Sequence, residues 1–234
     1  MESRCDYSPG ASGASRRRLL AWLGGAALIA GVRPIRAFAA AEDPGLPPTV
    51  VPGLFGSRET AVGDPFVYLP KSRVLDRAFA DEPYLIEAAA NSAQLRWQRL
   101  LADLSLRSAE LRIGAVDGFV NSFAWVDDDR LYKQPDYWAT PAEFLAAEAG
   151  DCEDFAIAKY VGLAQLGFSE ERLRVALVFD RKRRQQHALA IVYWKGDALV
   201  LDSLADAPQS HVKVTRYRPI CSFNRRQLWV HKAA

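Results

Sequence analysis

The chain changes its hydrophobic period twice. Residues 19–32 form a nearly unbroken apolar run. Further on, Trp97, Leu100, Leu101 and Leu104 recur three and four positions apart, as do Ile113, Val116, Val120 and Phe123 between Ser108 and Asp127. That spacing predicts helices with one buried face. Pro83, with Leu85, Ala88 and Ala89 behind it, has the pattern of a helix opened by proline. From Leu173 the period falls to two, which predicts strands over 173–179, 187–194 and 198–202, with 219–223 and 227–231 as candidate last strands. Asp180–Gln186 and Lys195–Asp197 read as the turns between them. Glu42–Pro70, rich in Pro and Gly, reads as an extended, irregular lead-in. Helices first and an antiparallel meander afterwards predict an α+β fold.

Two helices carry their own boundary signals. Thr140-Pro141-Ala142-Glu143 has capping-box spacing, with Pro at the first helical position and Phe144-Leu145 behind it. Asp151 is a natural N-cap for a helix that opens at Cys152 and stops at Gly167. Ala156, Tyr160 and Leu163 fall on one stripe of that helix, which predicts a buried face.

The first apolar run is too short to span a bilayer as a helix. It follows Arg16-Arg17-Arg18 and is followed by Ala37-Phe38-Ala39, a small-x-small cleavage pattern. Paired arginines before a Gly/Ala-rich apolar core resemble a twin-arginine export signal, and Arg33 and Arg36 behind the core suit that route. Residues 1–39 therefore read as a cleavable export signal and 40–234 as the working domain, expected in the periplasm. Cleavage after Ala41 and retention of the run as an N-terminal anchor are the alternatives.

Half of the 234 residues are apolar and a quarter charged, which suits one folded domain with a sizeable core. Thirty basic residues face 28 acidic ones. Six arginines and two acids lie within residues 1–39, so the remainder is net −2. That balance gives no sign of a nucleic-acid partner. Cys5, Cys152 and Cys221 are too few for a disulfide scaffold and are not spaced as a zinc site.

Cys152 falls at the first turn of its helix, where unpaired N–H groups favour a thiolate and lower its pKa. A nucleophile needs a base, and the chain has only His187, His211 and His231. His187 begins an alternating strand, whereas His211 lies in a Pro/Ser-flanked loop and His231 near the end; rigid placement favours His187. Asp202 ends the next strand, where it would fix the imidazole tautomer. A two-residue turn at Gly196-Asp197 would instead pair Asp202 with Ile191, roughly 13 Å along the strand from His187. A triad needs a turn nearer Trp194-Lys195, a bulge or another strand order.

Asp151, Glu153 and Asp154 crowd the thiol and, unneutralised, would raise its pKa. A calcium ion held by two or three of them would reverse that effect. Plain helix capping is the alternative reading of these acids.

Three stretches together resemble the bacterial transglutaminase-like cysteine proteinases, the LapG-type periplasmic proteases. They are Asp136–Leu145, Gly150–Tyr160, and the pair His187-Ala188-Leu189 with Leu199–Asp202. The resemblance implies a papain-like α+β fold and a Cys-His-Asp triad at Cys152, His187 and Asp202. It also implies calcium dependence through Asp151 and Glu153, with Asp154 beside them. The implied reaction is endoproteolysis of a large surface adhesin at a di-alanine site near its N-terminus, releasing biofilm. An inner-membrane cyclic-di-GMP receptor is the implied regulatory partner. The family usually has Asn after the triad Asp; here it is Ser203. A transglutaminase-like acyl transferase and a non-catalytic, calcium-responsive binding module are the competing functions.

Overall fold

The computed structural model of the protein describes residues 53–80 and 92–233. The export segment, residues 40–52 and the helix expected at Pro83 lie outside the described residues. Among the described residues there are seven α-helices and nine strands. The helices are α1 (Pro65–Tyr68), α2 (Val74–Ala80), α3 (Ser92–Leu104), α4 (Ala109–Asn121), α5 (Asp128–Leu131), α6 (Pro141–Ala147) and α7 (Cys152–Gln165). The strands are β1 (Arg58–Gly63), β2 (Ala124–Trp125), β3 (Ala149–Gly150), β4 (Leu173–Asp180), β5 (Gln185–Trp194), β6 (Asp197–Leu201), β7 (Gln209–Ser210), β8 (Tyr217–Phe223) and β9 (Leu228–Lys232).

The expected α+β class holds. Seven strands form one antiparallel sheet in the order β1-β9-β8-β4-β5-β6-β7. The meander covers β4 to β7; the chain then crosses back so that β8 pairs with the other edge of β4. The expected irregular lead-in is corrected over its second half: Arg58–Gly63 is a strand paired with β9. As an edge strand it is held by its partner's backbone and buries little, so it shows no apolar alternation.

Strand β5 is covered on both faces. Ala188, Ala190, Val192 and Trp194 join the core that packs the sheet against the helices. Leu189, Ile191 and Tyr193 join a second core on the opposite face with Val178, Val200 and Tyr217. Two-sided burial explains why this strand reads as an almost continuous apolar run.

Helix α7 is the central helix. Residues from Asp154 to Leu163 are all buried, so burial wraps the helix rather than following one stripe. Trp97 of α3 closes on Gly162, where an added Cβ would lie 2.4 Å from the indole. Gly167, at φ 92°, ends the helix as its spacing predicts. The capping box at Thr140 and Glu143 is present.

The hairpin between β5 and β6 turns at Lys195 and Gly196, both at positive φ (50° and 77°), which is the type I′ geometry that matches strand twist. Trp194 therefore pairs with Asp197 and Ala190 with Leu201. This is one residue earlier than a turn at Gly196-Asp197, and it carries Asp202 past Ile191 towards Leu189. The ladder stops there, and β5 runs on alone on that edge to His187.

Candidate active site

Cys152 sits at the N-terminus of α7, immediately after the short strand β3. β3 pairs in parallel with β2, Ala124 against Ala149 and Trp125 against Gly150. The Val126 N–H extends this pairing to the Gly150 carbonyl at 2.8 Å. The segment that opens α5 is thereby laid beside the segment that opens α7. Gly150 permits the close approach, since a Cβ there would fall 2.7 Å from both Asp154 Oδ2 and Phe144 Cδ2.

His187 and Asp202 meet on the unpaired edge of β5. His187 Nε2 donates to Asp202 Oδ1 at 2.7 Å, with both residues buried. An ionised carboxylate only accepts, so Nε2 carries the proton and Nδ1 is left as the basic nitrogen. Asp202 Oδ1 also accepts the Leu204 N–H at 3.0 Å, and Oδ2 accepts the Tyr217 hydroxyl. Burial alone would raise the Asp202 pKa; the bond and charge of His187, with Tyr217 and Leu204, bring it below the ordinary value. Asn121 Nδ2, from α4, donates to the Asp202 and Ala205 carbonyls, each at 3.1 Å.

The backbone N–H of Ala188, the residue after His187, faces the Cys152 sulfur and works to lower the thiol pKa. Its own S–H points to Glu153 Oε2 at 3.1 Å. The expected lowering of the thiol pKa is reversed in this arrangement. Burial, followed by the charges of Glu153 and Asp151, raises it well above the ordinary value. Burial and two negative neighbours outweigh one helix terminus.

The acids form a larger cluster than the sequence suggests. Ligand atoms of Asp128, Asp151 and Asp154 lie within 4.8 Å of one another, as do those of Asp128, Asp136 and Glu153. Burial and mutual repulsion push Asp151 up to about 10, Asp154 to about 8 and Asp128 to about 6. Asp128 Oδ1 and Asp151 Oδ1 are buried without a hydrogen-bond partner. A hard cation fits these oxygens: the donors are nearly all carboxylate, they converge, and two of them are unsatisfied. Asp154 differs, because Ala139 N–H (2.7 Å) and Asp151 N–H (3.4 Å) already occupy its two oxygens. Asp128 and Asp136 escape a sequence reading confined to the cysteine's neighbours. The only sequence sign is the run Asp127-Asp128-Asp129, with Asp136 just ahead of Tyr137-Trp138.

The other histidines are elsewhere. His211 is the buried residue of an otherwise exposed 3-10 turn, and its Nδ1 accepts the Phe55 N–H at 3.1 Å. His231, in β9, lies between the Ser57 and Ser222 hydroxyls, 2.9 Å from each. Tyr137 and Trp138, close to the cysteine in sequence, have their donors engaged with Glu143 (2.6 Å) and Asp136 (3.1 Å). Cys221 is fully buried in β8, and neither Cys152 nor Cys221 is joined in a disulfide.

Residues 97–232 match the family profile described as bacterial transglutaminase-like cysteine proteinase, BTLCP. Among solved structures, Legionella pneumophila LapG is similar at 26% identity and a TM-score of 0.56, over 68% of this chain and 87% of that one. Its calcium-bound form matches at 26% identity and a TM-score of 0.57, covering 68% and 87%. Its EGTA-treated form matches at 27% identity and 0.57, covering 69% and 86%. No curated protein matches the chain.

Proposed function

The chain belongs to the bacterial transglutaminase-like cysteine proteinases, and from that premise we propose that it is a calcium-dependent endopeptidase using Cys152, His187 and Asp202. The observation that carries this reading is the buried 2.7 Å bond from His187 to Asp202, on the strand whose next residue, Ala188, turns its N–H towards the Cys152 sulfur. His187 Nδ1 takes the thiol proton, and the sulfur attacks the scissile carbonyl. The backbone N–H of Cys152, at a helix start, is a donor for the oxyanion that forms. The imidazolium then protonates the leaving amine. Water, deprotonated by the same nitrogen, hydrolyses the acyl-enzyme and frees the thiol.

Asp128, Asp151 and Glu153 would hold the calcium, with Asp136 and Asp154 beside them. When bound, the ion supplies positive charge next to the sulfur and engages carboxylates that otherwise oppose thiolate formation. The calcium-bound and EGTA-treated forms of LapG support the choice of metal.

The substrate we propose is the N-terminal region of a large surface adhesin, cut at a di-alanine site to release biofilm. An inner-membrane cyclic-di-GMP receptor would restrain the enzyme. Export through the twin-arginine signal at residues 1–39 would deliver the domain of residues 40–234 to the periplasm. The test is cleavage of a purified adhesin fragment containing a di-alanine segment, with calcium or excess chelator, by wild type and Cys152→Ala. Calcium-dependent cutting by wild type alone supports the proposal. Equal cutting by the Cys152→Ala variant rejects the nucleophile, and equal cutting in chelator rejects the metal.

A further inference from the structure

Tyr217 is the largest group around Asp202 that the proposed chemistry leaves without a task. It begins β8 and is 1% exposed. Its ring reaches across the sheet face opposite α7 and lies 5.7 Å from the His187 imidazole. Phe55 meets it edge-on at 6.0 Å, and the Arg216 guanidinium lies 4.9 Å from its centroid. The hydroxyl at the end of this caged ring donates to Asp202 Oδ2. A buried tyrosine hydroxyl usually takes a hydrogen-bond partner. Here the partner is a carboxylate whose other oxygen already serves His187 and Leu204.

Resting on the reading of His187 and Asp202 as catalytic, we propose that Tyr217 is a positioning residue of the site. By holding Oδ2 it turns Oδ1 towards His187, and by sharing the carboxylate's charge it sets how strongly Asp202 draws on the imidazole N–H. Two features support the assignment. The residue after Asp202 is Ser203, whose hydroxyl is buried without a partner and so gives the carboxylate no support. Asn121 holds only the backbone carbonyls of the 202–205 loop, fixing where the loop lies without fixing the carboxylate's rotation. The carboxylate's rotation is held at Oδ1 by the Leu204 N–H and at Oδ2 by Tyr217, the one side-chain donor on that oxygen. Its effect is distinct from the other charges near Asp202, which are Arg216 and the buried Lys159–Asp117 pair.

The experiment reads the low-field proton resonance of the His187 Nε2–H, identified by its loss in Asp202→Asn, in the full-length calcium-loaded protein. Tyr217→Phe keeps the ring and removes only the donor. The carboxylate then presents more charge to the imidazole, so the resonance moves downfield. 3-Fluorotyrosine incorporated at Tyr217 donates more strongly and moves it upfield; this derivative keeps the hydroxyl and carries the test even if the Phe variant folds poorly. With a cleavable peptide, kcat falls about fivefold in the Phe variant at unchanged KM, the rate equivalent of one net hydrogen bond. A resonance that keeps its wild-type position in both proteins overturns the proposal. The resonance needs no substrate, so its displacement together with an absence of cleavage by wild type rejects the protease reading and leaves the Tyr217 assignment standing.

Discussion

Lys159 of α7 and Asp117 of α4 form an ion pair at 2.8 Å whose side chains are 0% and 1% exposed. It joins the helix that carries Cys152 to the helix that holds the Asp202 loop through Asn121. Burial lowers the Lys159 pKa and raises that of Asp117, with each charge opposing the other's shift. Lys159→Met leaves a buried carboxylate without its cation and costs about 3–5 kcal/mol. Lys159→Met combined with Asp117→Leu recovers most of that loss, because no uncompensated charge remains. Urea unfolding of the wild type, the single variant and the double variant checks this. A double variant no better than the single one would overturn it.

Gly150 and Asp154 are in tighter contact than any side chain at position 150 permits. An added Cβ meets Asp154 Oδ2 at 2.7 Å and Asp154 Cβ at 2.8 Å. Asp154 has no room to yield, since backbone N–H groups of Ala139 and Asp151 hold both of its oxygens. Gly150→Ala therefore costs about 1–3 kcal/mol by overpacking. The unfolding midpoint falls with an unchanged denaturant slope, and cleavage activity falls with it.

Much of this site is written locally. The caps at Thr140 and Asp151, the helix stop at Gly167 and the change of period at Leu173 depend on neighbours a few positions apart, so the chain order displays them. The pairing of His187 with Asp202 depends on where the hairpin turns, and one residue decides it: Lys195 adopts positive φ, which its side chain does not advertise. Asp128 joins Asp151 only because β2 and β3 pair in parallel, a contact across more than twenty positions of sequence. β1 was hidden for another reason. An edge strand fixed by backbone bonds needs no apolar alternation, so Arg58–Gly63 resembles a loop.

His231 links the core to acid stability. It is enclosed by Ser57, Ser222 and Glu59, and burial lowers its pKa to about 4, against the pull of the Glu59 charge. In the unfolded chain a histidine protonates near 6.5. Between these values the unfolded state binds the extra proton, so stability is full above about pH 6.5 and falls as pH drops towards 4. The loss from this residue is on the order of 3 kcal/mol. Glu59, whose pKa is lowered despite its burial by the Arg174 bond and charge, adds a further loss at lower pH. His231→Gln flattens the stability curve between pH 6.5 and 4, as measured by unfolding at several pH values. A curve as steep as that of wild type would refute the assignment.

The carboxylate cluster predicts opposite effects of one substitution with and without calcium. Asp128 Oδ1 is buried and unpartnered, while Oδ2 accepts the Tyr137 N–H at 2.5 Å. Asp128→Asn keeps an acceptor for Tyr137 and removes one of the mutually repelling charges, so the calcium-free protein melts at a higher temperature than wild type. The same change removes a ligand, so calcium protects less. In wild type, calcium at a hundredfold excess over its Kd stabilises the fold by about 2.7 kcal/mol. In the variant most of that increment is lost at the same concentration. Thermal melts with calcium, with magnesium and with chelator check both halves. Equal calcium shifts in the two proteins would remove Asp128 from the site, and a lower melting temperature for the calcium-free variant would show that the carboxylates are not held in repulsion.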